Sequence, residues 1–232
     1  MNRIGIIGAM EEEVNQLKLI MNDVVIEEKA GMEFNIGTYQ GKNVVIVRSG
    51  IGKVNAAICT QILIDMYRVE GIINTGIAGS LRGEINIGDM VLSTDVMHHD
   101  VDATNFGYEY GIIPRMETST FIADKELLNK ASRVSKEVNQ DIGIFLGRVV
   151  SGDQFVADKS KKEWIGSTFN GYCTEMEGAA IAQTSYLNKV PFLIIRAISD
   201  KADDSAHMDY DVFEAKAIEN TVKLMKNLIP NV

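Results

Sequence analysis

The stretch RIGIIGAMEEEVNQLKLIM, residues 3–21, places a short apolar run directly before an amphipathic helical pattern. On a helix, one stripe carries the apolar residues Met10, Val14, Leu17 and Met21, and the opposite row is polar. A buried strand followed by a helix that packs back onto the sheet is the repeating unit of α/β proteins. The stretch therefore predicts an α/β fold.

The same alternation continues along the chain. Further strands are predicted at 43–50, 71–76, 89–96, 145–152 and 191–199, and helices at 9–22, 53–67, 124–138, 177–187 and 211–228. Most of these strands are continuously apolar, which is typical of strands covered on both faces. Residues 32–50 add an antiparallel hairpin turned at Gly41. The prediction is a single domain over residues 1–232 with a central mixed, mostly parallel twisted β-sheet flanked by helices.

Composition excludes several classes of partner. The chain has 232 residues, 23 of them basic and 32 acidic, for a net charge of −9, so nucleic acid and anionic membranes are poor partners. No apolar run approaches the roughly 18 residues of a membrane span, and three acids interrupt the N-terminal run. Cys59 and Cys173 lie far apart and are expected to be reduced core thiols. We expect a soluble cytoplasmic protein.

Three cofactor motifs fail on inspection. Gly5 and Gly8 have the wrong spacing for a dinucleotide fingerprint, and the acids that follow would repel a pyrophosphate. SGIGKVNAA lacks the first glycine and the Ser/Thr of a P-loop. His98, His99 and Asp100 are adjacent, so their side chains point opposite ways, and no third ligand stands at useful spacing. No metal and no cofactor are expected.

Several charged residues stand in unusual places. Acids at a helix start ordinarily favour the helix dipole, but Glu13 lies beside the apolar stripe and is the one expected to face inward. Ser199 and Asp200 end a buried strand, where α/β proteins bind ligands, although an Asp there can equally form a turn or a helix cap. Arg196, inside an apolar run, needs an acidic partner or a ligand.

Three further stretches remain open on pattern alone. Glu175 and Glu177 in TEMEGAAIA can be surface acids, or they can hold Arg196 or a ligand. Phe155 in VVSGDQFV is by type more often a core residue than a stacking platform. Residues 97–119 form a long segment without periodicity, which is typical of a functional or interface loop.

Taken together, the motifs carry a resemblance over essentially the whole chain. In order they are GIIGAMEEEV, SGIGKVNAA, INTGIAGS, HHDVDATNFGYEYG, VVSGDQF, TEMEGAAIA and IIRAISD. They closely resemble the 5′-methylthioadenosine/S-adenosylhomocysteine nucleosidases, which belong to the purine nucleoside phosphorylase-like superfamily. The resemblance implies an enzyme that hydrolyses the N-glycosidic bond of adenine nucleosides, acts without a cofactor and forms a homodimer.

The resemblance also implies roles for matching positions. Glu13 resembles the base that activates the attacking water, and Asp200 resembles the acid that protonates adenine N7. Glu177, with the Met176 backbone, resembles the clamp on the ribose hydroxyls, where a carboxylate can also stabilise a positively charged sugar. An acid positioned to protonate the leaving group, as implied for Asp200, raises the reaction rate by about 10²–10⁴-fold.

The base and the 5′ substituent have their own implied contacts. Phe155 resembles the face stacked on adenine, with the Val156 backbone at its edge, and Arg196 resembles a support near the water. The other candidate substrate-binding positions are Met10, Ile51, Ile77, Phe106, Glu175, Ser199 and Tyr210. Ile77 stands where the family usually has Ser, whose hydroxyl commonly assists the catalytic Asp, and Tyr210 stands where it usually has Phe.

Other functions remain compatible with these motifs. A nucleoside phosphorylase on the same fold needs Arg or Lys at the nucleophile site, where this chain has Glu13. Arg48 and Arg196 keep this alternative open. A related hydrolase could act on 5′-deoxyadenosine or a futalosine-type compound. From another class, the chain could be an inactive module that only binds nucleosides.

Overall fold

A computed structural model describes residues 1–203 and 205–232. Within them the strands are β1 (Arg3–Gly8), β2 (Asn22–Lys29), β3 (Met32–Tyr39), β4 (Lys42–Arg48), β5 (Gly71–Ser80), β6 (Met90–His98), β7 (Phe121–Ile122), β8 (Ile144–Ser151), β9 (Cys173–Glu175) and β10 (Phe192–Asp200). The helices are α1 (Glu11–Lys18), α2 (Lys53–Asp65), α3 (Lys125–Val138), α4 (Lys159–Phe169), α5 (Gly178–Asn188) and α6 (Ala206–Leu228). Single 3₁₀ turns lie at Thr104–Phe106 and Ile229–Asn231.

All the described strands belong to one mixed sheet, which confirms the predicted α/β class. The strand order is β10-β6-β8-β9-β5-β1-β4-β3-β2, with β7 beside β6. Because β10 also pairs with β5, the strands β5, β10, β6, β8 and β9 close into a ring. The strands β1, β4, β3 and β2 extend from that ring as an open sheet.

The sheet contains more antiparallel pairing than the sequence pattern predicts. Parallel pairs join β1 to β4 and β5, β10 to β5, and β8 to β6 and β9. Antiparallel pairs join β10 to β6, β9 to β5, β7 to β6, and the strands of the β2–β3–β4 meander. Among the described strands the two kinds of pair are therefore equal in number, because two pairs of the ring, the β7 pair and both pairs of the meander are antiparallel.

Most predicted elements lie where the pattern places them. The hairpin turned at Gly41 is confirmed as β3 and β4. The elements that the pattern missed are β2, which is exposed throughout, α4, which carries only two buried residues, and the very short β7 and β9. Each lacks the continuous apolar run or apolar stripe on which the prediction depended. None of the described helices is long and apolar enough to cross a membrane.

The core is built from the covered strands and it fixes the position of their carboxyl ends. Ile6, Ile73 and Ile194, on β1, β5 and β10, are completely buried. Burying one such side chain contributes about 1.5–3 kcal/mol relative to leaving it in water. Since β1, β5 and β10 are neighbours and parallel, the residues that follow their apolar runs emerge at one edge.

Candidate active site

The carboxyl ends of β1, β5 and β10 open onto a cavity of about 530 Å³. The cavity is lined by the candidates Met10, Glu13, Ile51, Ile77, Phe155, Val156, Glu175, Met176, Glu177, Ser199, Asp200 and Tyr210. The structure thus brings together twelve of the fourteen residues that the sequence singled out.

The two exceptions lie elsewhere. Arg196 is buried behind the cavity wall, where it contacts Glu175. Phe106 is 83% exposed on the 3₁₀ turn at Thr104–Phe106 and does not line the cavity of its own chain. Sequence reasoning missed five lining residues, Ala9, Ala78, Gly79, Gln154 and Thr174. Four of them stand directly beside predicted residues and Gly79 is two positions from Ile77, so closeness to the motif residues was the signal that could have found them.

Glu13 is held in place by the start of α1 and the end of β5. Its Oε2 accepts hydrogen bonds from the backbone N–H of Ala9 (2.6 Å) and of Met10 (3.0 Å), and its Oε1 accepts one from Ile77 N–H (3.2 Å). A Cβ at Gly76 would lie 2.6 Å from Glu13 Oε1, so only glycine leaves room for this carboxylate. The prediction that Glu13 is the inward acid of the three is confirmed, since it is 3% exposed.

Burial makes Glu13 a weaker acid than usual. Desolvation raises its pKa above the ordinary value, and the charge of Arg196 and the three amide donors offset part of that rise. A carboxyl group with such a pKa can act as a proton acceptor toward a bound water.

Arg196 is the cation of the site and is 1% exposed. Its Nε donates to Glu175 Oε2 (3.1 Å), its Nη2 contacts the same oxygen, and Nη2 also donates to Asn74 Oδ1. Glu177 Oε2 lies 3.8 Å from Nη2. Burial alone would lower the pKa of Arg196, but the charges of Glu175, Glu177 and Glu13 raise it, so the guanidinium stays charged.

Glu175 and Glu177 share this cation unequally. Burial opposes ionisation of Glu175, but Arg196, Ser151 and the amide of Gly178 together hold its pKa below the ordinary value. Burial and the charge of Glu175 raise the pKa of Glu177 instead, with Arg196 only partly offsetting them. The Glu175 carboxylate is therefore occupied by protein groups, and Glu177 is the acid more open to the cavity.

Asp200 ends β10 and is 2% exposed. The Ser199 hydroxyl donates to its Oδ2 (2.8 Å), and Ala202 N–H donates to its Oδ1 (2.7 Å). A Cβ at Gly79 would lie 2.7 Å from Asp200 Oδ1, so a second glycine of β5 makes room for a second carboxylate. The cavity therefore has an acid at each end of a short stretch of β5, about 10 Å of strand apart.

Comparison with known proteins adds independent evidence. A family model described as the phosphorylase superfamily matches residues 3–230. A 5′-methylthioadenosine/S-adenosylhomocysteine nucleosidase from Bacillus cytotoxicus is 45% identical over 231 residues, which cover 97% of this chain and 99% of that one. The chain belongs to the 5′-methylthioadenosine/S-adenosylhomocysteine nucleosidase family.

Solved structures agree with this membership in the nucleosidase family. The nucleosidase from Neisseria meningitidis, in complex with methylthio-immucillin-A, superposes with a TM-score of 0.96 at 36% identity over 100% of both chains. A futalosine hydrolase mutant of Helicobacter pylori superposes with a TM-score of 0.94 at 33% identity, again over 100% of both chains. The family resemblance and the fold class predicted from the sequence are confirmed.

Besides the four acids and the polar Gln154, Thr174 and Ser199, the cavity of this nucleosidase family member is lined by apolar and aromatic residues. Phe155 and Tyr210 meet edge to face, with ring centroids 6.0 Å apart. The Tyr210 hydroxyl, which the usual Phe lacks, donates to Glu214 Oε1 (2.9 Å) and lies 3.3 Å from Met10 Sδ. Phe155 is 44% exposed, so it is not packed in the core.

His98 and His99, which the sequence presents as adjacent candidate ligands, each contact a neighbouring side chain. His98 Nε2 lies 2.9 Å from Gln183 Oε1, and His99 packs against Phe169 with ring centroids 6.5 Å apart. Burial lowers the pKa of His99 to about 4, so its ring is neutral at pH 7. No cluster of three or more potential metal ligands occurs among the described residues.

Proposed function

We propose that the protein hydrolyses the N-glycosidic bond of 5′-methylthioadenosine and S-adenosylhomocysteine, releasing adenine and the thioribose product. One observation carries this choice of reaction. Four carboxylic acids, Glu13, Glu175, Glu177 and Asp200, line the cavity, and no Lys, Arg or His is found among its described lining residues. Acids can orient water and protonate a leaving group, whereas a phosphate nucleophile needs cationic donors.

The two arginines that left a phosphorylase possible are both engaged elsewhere. Arg48 is exposed on the outer surface, where its Nε lies 3.9 Å from Glu11. The head group of Arg196 is turned toward Glu175 and Asn74. Phosphate entering beside Glu13 would meet a buried carboxyl group, and the positive charge of Arg196 behind it is already shared by Glu175, Glu177 and Glu13, so its entry is unfavourable.

The proposed mechanism distributes the work between the two ends of the cavity. Asp200 delivers a proton to N7 of adenine, which removes negative charge from the leaving base. Glu13 orients a water and accepts its proton as the water attacks the sugar carbon. Ser199 supports Asp200 through the 2.8 Å hydrogen bond and so supplies the hydroxyl that Ile77 lacks. Each of these groups is buried, where fixed hydrogen bonds act strongly on developing charge.

The substrate contacts follow the same geometry. Glu177 and the Met176 backbone hold the ribose hydroxyls, Phe155 stacks on adenine, and the Val156 backbone reads the edge of the base. Met10, Ile51 and Tyr210 form a wall that suits a thioether and would not accommodate a charged 5′-phosphate, because apolar surface cannot replace its hydration.

A related substrate class is the second candidate. The likeness to a futalosine hydrolase mutant, at a TM-score of 0.94, favours testing a futalosine-type nucleoside beside the methylthio and homocysteinyl compounds and 5′-deoxyadenosine. Parallel kinetics on these substrates rank them, because all share the glycosidic bond and differ in base or 5′ group.

We also propose that two copies of the chain associate as a homodimer in the cytoplasm. Several large apolar side chains are exposed near the cavity mouth and on the neighbouring loop, namely Ile51, Val54, Ile58 and Phe106. A second copy covering this surface would explain the exposure. Light scattering is expected to give about twice the mass of one chain, and a monomer at assay concentration would contradict the proposal.

The test of the reaction is adenine release in phosphate-free buffer, with chromatography of the sugar product. We expect turnover without phosphate and a free thioribose. Strict dependence on phosphate, with a sugar 1-phosphate as product, would refute hydrolysis, and tight binding without any release would identify a binding module.

A matched pair of variants isolates the proposed base. Glu13→Gln is expected to lower kcat by about 10²-fold or more. Glu12→Gln is expected to retain activity, since Glu12 is exposed on the first turn of the same helix. Equal activities of the two variants would remove Glu13 from the mechanism.

A further inference from the structure

Ser151, at the end of β8, is completely buried and lies outside the cavity lining. Its Oγ accepts a hydrogen bond from Ala179 N–H (2.7 Å) in the first turn of α5. The same Oγ contacts Glu175 Oε1. Since the amide of Ala179 can only donate, the hydroxyl hydrogen of Ser151 is left to point at the carboxylate.

Glu175 accepts hydrogen bonds on both of its carboxylate oxygens. Gly178 N–H donates to Oε2 (2.8 Å), Glu177 N–H lies 3.2 Å from the same oxygen, and Arg196 Nε donates to it at 3.1 Å. Together with Ser151, these groups surround Glu175 with donors from β8, α5 and β10. Every donor favours the ionised form of the acid that it contacts.

Glu177 has a much poorer set of donors. Gly52 N–H, before α2, donates to its Oε1 (2.8 Å), and Arg196 Nη2 lies 3.8 Å from its Oε2. The charged groups that face it are Glu175 on β9, Arg196 on β10 and Glu13 on α1. Two buried acids two residues apart thus share one guanidinium, and only one of them is saturated with donors.

We propose that Ser151 is a positioning residue that, with the first amides of α5, fixes the shared negative charge on Glu175 and leaves the proton of the pair on Glu177. Burial and the charge of Glu175 raise the pKa of Glu177 to about 8, in agreement with this distribution. The inference rests on the proposed function for its meaning, because Glu177 is the acid proposed to hold the ribose.

The consequence for the site is a change in how the sugar is held. A neutral Glu177 donates one hydrogen bond and accepts another, so it can bind a pair of neighbouring hydroxyls through both oxygens. It then contributes hydrogen bonds at neutral pH rather than the full negative charge that the family resemblance suggests. Ser151 acts on the ligand only through Glu175 and Glu177.

Site-resolved titration of the two carboxyl groups tests the proposal. Glutamate labelled with ¹³C at the side-chain carboxyl is observed by NMR between pH 4 and 10, and Glu175→Gln and Glu177→Gln identify the two signals. In the wild type, the high-pH step is expected on Glu177 and essentially none of it on Glu175. A wild-type step carried mainly by Glu175 would overturn the proposal without any variant of Ser151.

Variants then assign the effect to the hydroxyl. In Ser151→Ala, Glu175 loses a donor, so the midpoint of its own titration step is expected to rise by about one pKa unit, while the high-pH step stays on Glu177. Ser151→Thr keeps the hydroxyl and is expected to restore the wild-type midpoint of Glu175. Ser185→Ala is the control, because Ser185 is also buried, lies on α5, and has a side-chain hydroxyl with no hydrogen-bond partner in the described part of the chain.

The outcomes separate this inference from the proposed function. A wild-type midpoint for the Glu175 titration in Ser151→Ala refutes the positioning role even when the protein hydrolyses nucleosides normally. Failure of the wild type to release adenine refutes the proposed function, whereas the titration still shows which of Glu175 and Glu177 carries the proton. If Ser151→Ala does not fold, Ser151→Cys, whose thiol is a weak donor, provides the same comparison with an intermediate shift.

Discussion

Replacing Arg196 by methionine tests the buried charge cluster most directly. The guanidinium is 1% exposed and is the cation shared by Glu175, Glu177 and Glu13. Methionine fills the space of the side-chain stem with a flexible apolar chain but brings no charge. Glu175, which donates nothing and relies on Arg196 at 3.1 Å, would then be a buried carboxylate without its counter-ion.

The expected cost follows from that loss. Removing one partner of a buried ion pair typically destabilises a protein by about 3–5 kcal/mol, because the remaining charge is uncompensated. For a chain of this size that corresponds to a fall in Tm of roughly 10 °C. Adding Glu175→Gln to Arg196→Met removes the stranded charge, so the double variant should recover a coupling energy of about 1–3 kcal/mol.

Urea unfolding measures the free energy of unfolding of Arg196→Met, of Glu175→Gln and of the double variant under the same conditions. Trp164, the single tryptophan, packs edge to face on Phe169 with centroids 5.8 Å apart and reports unfolding by fluorescence. Arg196→Lys keeps the charge without the planar fork, and it should fall between the wild type and Arg196→Met. The reasoning is refuted if the free energy of unfolding of Arg196→Met lies within about 1 kcal/mol of the wild-type value. It is also refuted if the destabilisation in the double variant equals the sum of the two single destabilisations.

Three further changes probe the cavity. Asp200→Asn is expected to lower kcat by about 10²–10⁴-fold while nucleoside binding, measured by calorimetry, persists; wild-type turnover would remove Asp200 from the mechanism. The pKa of Glu177, raised from 4.5 to about 8, gives a stabilising contribution that is present below pH 4.5 and lost as the pH rises through 8. Glu177→Gln should therefore gain stability relative to the wild type between pH 5 and 9 in thermal melts, and a constant difference would contradict this. Gly79→Ala places a Cβ 2.7 Å from Asp200 Oδ1 and should lower kcat about tenfold or more, whereas Gly83→Ala, with open space at its Cβ, should not; equal rates would exclude the close approach.

The central strands of the sheet could be predicted from the sequence because each is marked by a run of apolar residues. A continuous apolar run such as residues 191–199 becomes a covered strand wherever helices flank it, and β10 spans Phe192–Asp200. The exposed β2 and the three-residue β9 carry no such signal, because their place depends on neighbouring strands. The ring closed by β10 and β5 is likewise invisible in the chain, since pairing partners are a tertiary property.

The site divides in the same way. Glu13 could be singled out as the inward acid because helical periodicity places it beside an apolar stripe, and Arg196 because an apolar run surrounds it. The sequence pattern does not show which acid forms the close ion pair with Arg196. Only the fold brings Ser151 and the start of α5 onto Glu175 and leaves Glu177 with one amide donor.

In the proposed mechanism, the choice between water and phosphate as nucleophile can be traced to the start of α1 and two glycines of β5. Gly76 leaves space into which a side chain from α1 must turn, and the residue there is an acid, Glu13, tied to three backbone amides. A cation at the same place would turn the same cavity toward anions. Because Gly79 makes the matching space for Asp200, β5 positions both acids of the proposed reaction. The fold constrains where these side chains lie, and the charge of the side chain that fills the space beside each glycine decides which reaction the cavity favours.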